Sequence, residues 1–169
     1  MARSLRFGAK LGLLGSTVGV LLAIPYLFVG FSMDIVGTGA TSWPLILENV
    51  VPVLMVLMVG SLARRRGLGP SQTAATFGVV YGAMAGVAHW MAAMAMPHKL
   101  TLIRAMEFVA MAHGKPMNPS NKAILAASVL HPSFFSLVFY NALDLALFGV
   151  VLGWIGGKIG KRIQPPARI

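Results

Sequence analysis

Leu11 to Met33 contains no charged residue, and three further apolar runs of similar length follow it: Pro44 to Ala63, Thr73 to Met96 and Pro132 to Gly157. A helix needs about 20 apolar residues to cross a hydrocarbon core of about 30 Å, and lipid offers no partner to an unbonded peptide group. Four such runs leave few alternatives to a set of membrane-crossing helices. Composition agrees: 57% of residues are hydrophobic and 11% are charged, against roughly 25% charged in soluble domains. The sequence therefore predicts an all-α integral membrane protein, a four-helix bundle forming a single transmembrane domain over residues 1–169. The first run is longer than the roughly 7 to 15 apolar residues of a signal peptide, and no small-x-small cleavage site follows it, so it is read as a retained helix.

Lysine and arginine outnumber aspartate and glutamate 14 to 4. A nucleic-acid binder would place that excess on a solvated face of a soluble fold. Here the cations flank the apolar runs, which argues against nucleic acid and makes the bilayer the first partner. Arg3, Arg6 and Lys10 precede the first run, Arg64 to Arg66 separate the second from the third, and Lys158, Lys161, Arg162 and Arg168 follow the fourth. With four crossings all of these fall on one side, and the positive-inside rule then puts both termini in the cytoplasm of a cell (inner) membrane.

The opposite side receives a short connection, with Trp43 as an interface anchor, and a longer segment from His98 to His131. Within it, Leu102, Ile103, Met106, Val109 and Ala110 recur at helical spacing beside an Arg104 and Glu107 pair, which predicts an amphipathic helix lying on the outer surface. The stretch "GKPMNPSN" reads as a turn and Asn121 to Leu130 as a short helix. A continuous helix from Lys122 to Gly157 would be about 54 Å long, too long merely to span. A bend is therefore placed at Pro132.

Glycines recur near every fourth position in three runs: Gly8, Gly12, Gly15 and Gly19; Gly78, Gly82 and Gly86; Gly149, Gly153 and Gly157. Small residues at this spacing let membrane helices approach closely, since lipid gives no hydrophobic reason to associate. Most of them fall toward the cytoplasmic side. The intramembrane polar residues fall from mid-membrane outward: Glu48 in the second run, His89 in the third, and Asn141 and Asp144 in the fourth. A shallow cavity open to the outside follows, with Asp144 as its key residue. A carboxylate at bilayer centre costs about 2.5 to 3.5 kcal/mol on insertion scales and is normally partnered, protonated or hydrated. His89 is the candidate partner. A second reading has Asp144 protonated and bonded to backbone or hydroxyl groups. At 100° per residue, Asn141 lies about 60° from Asp144, while Gly149, Gly153, Gly156 and Gly160 cluster about 120° to 180° away from it. The fourth helix thus presents two opposed faces unsuited to lipid, so either this helix is central in the bundle or one face meets another subunit.

Motifs for catalysis are missing: there is no cysteine, HExxH, phosphate-binding glycine loop or GxSxG, so no catalytic residue is assigned. Met91, Met94 and His98 have the i, i+3, i+7 spacing of one helical face and form a candidate copper site, thioethers favouring Cu(I). His89, four residues after Ala85 and close to Gly82 and Gly86, is a candidate axial ligand for a porphyrin-type pigment. The leading expectation is a non-catalytic subunit or accessory component of a larger membrane complex, joined to other subunits or to copies of itself. Two others stand beside it: a small proton- or metal-coupled transporter or channel using Asp144 and His89, and a copper- or pigment-binding membrane protein.

Overall fold

A tight turn fixes one end of the molecule. In the computed structural model, which describes residues 1–28, 43–95, 99–112 and 118–162, the arginine triplet closes a helix and Gly67 adopts a left-handed φ of 69°. The Leu68 amide donates to the Ala63 carbonyl at 2.9 Å and the Gly67 amide to Arg64 at 3.0 Å. This is the paired bonding by which a glycine ends a helix and satisfies its last carbonyls. Gly69 then donates to the Ser4 hydroxyl at 3.2 Å, and Thr73 Oγ1 donates back to the Gly69 carbonyl at 2.8 Å. The amino terminus is thereby held beside the arginine turn.

The described residues are helical, without strands. In order the helices are α1 (Ala2–Phe28), α2 (Trp43–Arg65), α3 (Pro70–Ala95), α4 (Lys99–Ala112), α5 (Pro119–Leu130) and α6 (Phe134–Arg162). Three stretches are long and apolar enough to cross a membrane: Ala2–Ile24, Pro70–Ala95 and Phe134–Lys161. Helix α1 begins well before Leu11, and α6 continues past Gly157. Both absorb basic residues that the apolar runs exclude, because a long lysine or arginine stem can follow apolar surface while its head stays in water.

Helix α3 is central. It packs against α1, α2 and α6, while α2 also packs on α6 and lightly on α1. Its contact with α6 keeps one antiparallel register: Gly86 meets Leu137, Gly82 meets Asn141, Gly78 meets Leu145, and Gly149 in turn meets Ala74 and Ala75. Helix α1 runs parallel to α3, with Gly8 on Thr73, Gly12 on Phe77 and Val80, and Gly19 on Ala85. On α6, Gly156 and Gly160 meet Leu57 and Ser61 of α2, and Gly153 fits between Gly60 and Ala74. Gly60, Gly78, Gly82, Gly86, Gly149 and Gly156 are therefore positions where backbone meets neighbouring backbone, as expected for association without a hydrophobic drive, while Gly12 and Gly19 chiefly face side chains. Between them lies a small core of Val56, Val59, Ala74, Phe77, Tyr81 and Ala85, in which the Phe77 and Tyr81 rings stack at 5.4 Å.

On α6, Asp144 is exposed, apart from the glycines, while Asn141 shares the side that carries them: Leu137, Asn141, Leu145, Gly149 and Gly153 form one row that all meets α3. Four residues turn a helix by about 400°, so such a row advances about 40° per step and winds around the cylinder. Positions that look opposite on a projection become successive contacts with one crossing partner.

With these directions the amino terminus, the arginine turn and the carboxyl end of α6, where Gly157 meets Pro70, lie at one end of the molecule. At the far end, α4 and α5 pack on each other, and Lys122 Nζ stands 3.6 Å from Glu107 Oε1. Asn118 caps α5 by accepting from the Asn121 amide at 2.7 Å, with Pro119 opening the first turn. The chain breaks from helix between Leu130 and Phe134. There Trp90 Nε1 donates to the Pro132 carbonyl at 3.1 Å, and the Trp90 ring meets Phe134 edge-on at 5.2 Å. Trp90→Phe keeps the ring packing and removes the donor. Its expected cost is about 1 kcal/mol, read as a drop of about 2–4 °C in the thermal midpoint in detergent.

Candidate functional site

Toward the carboxyl end of α3, the four long helices separate enough to leave a cavity of about 270 Å³. Gly19 and Leu22 of α1, Pro52 and Val53 of α2, Tyr81, Ala85 and His89 of α3, and Asn141, Asp144, Leu145 and Phe148 of α6 line it. Three of the helices supply a reason for the space. Gly19 has no side chain, Pro52 lacks the amide that an uninterrupted helix would bond, and Ala85 is short. The cavity lies away from the end that carries the arginine turn.

Three of the residues singled out in the sequence, His89, Asn141 and Asp144, share this cavity wall. His89 Nδ1 is 2.8 Å from the Ala85 carbonyl oxygen. A carbonyl only accepts, so Nδ1 carries the proton and the neutral ring would hold its lone pair on Nε2. Asn141 Nδ2 donates to the Leu137 carbonyl at 2.6 Å, which leaves its side-chain oxygen as the acceptor. Asp144, one turn further along α6, is exposed. Among the described residues, no group donates a hydrogen bond to it or forms an ion pair with it. His89 and Asp144 therefore share one cavity wall, and among the described residues no hydrogen bond joins them as the expected pair.

Of the remaining candidates, Met91 and Met94 do not line this wall. Glu48 belongs to the early part of α2, and its side chain is outside the described residues. Met91 and Met94 are exposed on α3, at 58% and 47% of full exposure, and His98 lies outside the described residues. Among the described residues, no three of His, Asp or Glu are grouped to hold a metal ion. At His89, the candidate axial ligand for a porphyrin-type ring, Nε2 is buried and the adjoining cavity measures about 270 Å³. Sequence reasoning missed Tyr81 and Pro52 as cavity residues. Nothing local marks Tyr81, whereas the amide that Pro52 lacks was a usable signal for an opening along α2.

Comparison with family models, with curated proteins and with solved structures gives no match.

Proposed function

We propose that the chain is a four-span membrane protein with both termini cytoplasmic, its four long helices forming one bundle and α4 and α5 lying at the outer surface. We infer further that it serves as a non-catalytic subunit or accessory component of a larger assembly in a prokaryotic-type inner membrane. One observation carries this reading: Asp144 is exposed in the middle of an apolar helix, where an uncompensated carboxylate is expensive. The α6 glycines are already used against α2 and α3, so the surface left for a partner is the side that carries Asp144. Exposed Tyr140, Leu143, Leu147 and Phe148 border it. A polar group from a neighbouring subunit would meet the carboxylate there.

Purification in mild detergent followed by mass measurement tests the proposal. The expected result is a complex heavier than the 17.9 kDa chain that loses its partner in the Asp144→Leu variant. A lone wild-type monomer would remove the subunit reading.

The cavity favours a second reading, a small proton-coupled transporter in which His89 and Asp144 exchange a proton across the cavity. Purified protein alone, in vesicles with an imposed pH gradient, would then move protons, and Asp144→Asn would stop the flux.

A further inference from the structure

Helix α1 leans chiefly on α3 and α2 chiefly on α6, so the two touch each other little, and between them runs an open groove of about 690 Å³. Leu14, Gly15 and Val18 form one wall, and Met58, Leu62 and Arg65 form the other. Phe77 of α3 lies at the floor. Apart from Ser61, Arg65 is the sole polar side chain along it among the described residues, and it stands at one end.

We propose that this groove holds one acyl chain of an anionic phospholipid, with the lipid phosphate at Arg65. Length supports the chain: from Met55 to Arg65 the α2 wall extends about 15 Å, half of a hydrocarbon core of about 30 Å. That is one leaflet, measured from the arginine end, whereas a partner's transmembrane helix would need a groove through both. Charge supports the headgroup. Arg64, Arg65 and Arg66 lie together where α2 ends, Lys10 lies one residue before the groove wall on α1, and the Arg66 guanidinium sits 4.6 Å from the centre of the Phe7 ring. All four acidic residues of the chain, Asp34, Glu48, Glu107 and Asp144, lie elsewhere in the sequence. The mouth is therefore a cation cluster without a protein counter-charge on either wall, the pattern by which basic pockets between membrane helices take anionic lipid headgroups. The groove shares no lining residue with the Asp144 cavity.

The test uses the full chain in bilayer discs made from equal amounts of phosphatidylglycerol and phosphatidylcholine, followed by gentle extraction and mass measurement of retained lipid. Phosphatidylglycerol should be enriched about fivefold, the discrimination expected of one cation near the surface. Arg65→Gln should bring the ratio near parity, and Val18→Trp, which fills the groove, should lower retention of both lipids. Excess inorganic phosphate, which has no chain, should leave the enrichment unchanged. Equal retention of the two lipids by the wild-type protein would overturn the proposal. So would displacement by phosphate, an Arg65→Gln protein with full enrichment, or a second copy of the chain in the groove, seen as a dimer mass that Leu14→Trp abolishes.

Discussion

Replacing Gly82 by alanine is expected to loosen α3 from α6, although the change adds a single methyl group. A Cβ at this position would meet the Asn141 carbonyl, with the Asn141 carbonyl carbon at 2.7 Å and Ala142 Cα at 2.9 Å. These are backbone atoms of a packed helix and have no rotamer into which to retreat. Overpacking a well-fitted contact costs about 1 to 3 kcal/mol, and a backbone obstacle belongs at the upper end of that range. The expected result is a thermal midpoint lower by about 5–10 °C, measured in detergent, with a loss of yield. Gly19→Ala supplies the contrast. There the added carbon meets the Ala85 side chain at 3.2 Å and the Tyr81 ring at 3.5 Å, so a small shift accommodates it and the midpoint should change much less. Equal responses from the two variants would show that the α3 and α6 register is wrong.

The second large effect concerns Asp144 and has two parts of opposite sign. Leucine removes a charge from an apolar helix, so the isolated chain should become more stable, by about 1–3 kcal/mol if the carboxylate is ionised there. The same change should abolish assembly with the partner or, under the transport reading, the proton flux. Greater stability together with lost activity is what a group retained for function shows when it is removed. Asp144→Asn separates the roles: it keeps a hydrogen-bonding side chain but cannot ionise. Retained assembly in Asp144→Asn with lost assembly in Asp144→Leu would assign the partner contact to hydrogen bonding. If Asp144→Leu preserved both assembly and flux, neither role could stand.

That the chain folds into helices long and apolar enough to cross a membrane was legible because such a run is a local property: an uncharged stretch of sufficient length declares itself without knowledge of its neighbours. The break before α6 was legible for a similar reason, since Pro132 and the excess length both act along the chain. Packing was less accessible. The glycine spacing announced close contact, but not that Gly82 would face Asn141 or that Gly153 would sit between α2 and α3. A projection of α6 separated its glycines from its polar residues, whereas the winding of a four-residue row brought Asn141 and Gly149 against the same helix. Asp144 and His89 stood out because charge and imidazole are rare in apolar runs. Their shared cavity depended on Pro52 and Gly19 from two other helices, and no local pattern links those positions. The groove between α1 and α2 was invisible for the same reason: it exists because α1 packs chiefly on α3 and α2 chiefly on α6.

The absence of cysteine from the sequence makes single-cysteine labelling clean, and it tests most directly the claim that a polar cavity occupies the membrane half away from the arginine turn. Asp144→Cys and, separately, Gly67→Cys would be treated in sealed vesicles with a membrane-impermeant thiol reagent applied to one face at a time. The account predicts that position 67 reacts from the cytoplasmic face and position 144 only from the opposite face. Reaction of both positions from the same face would contradict it.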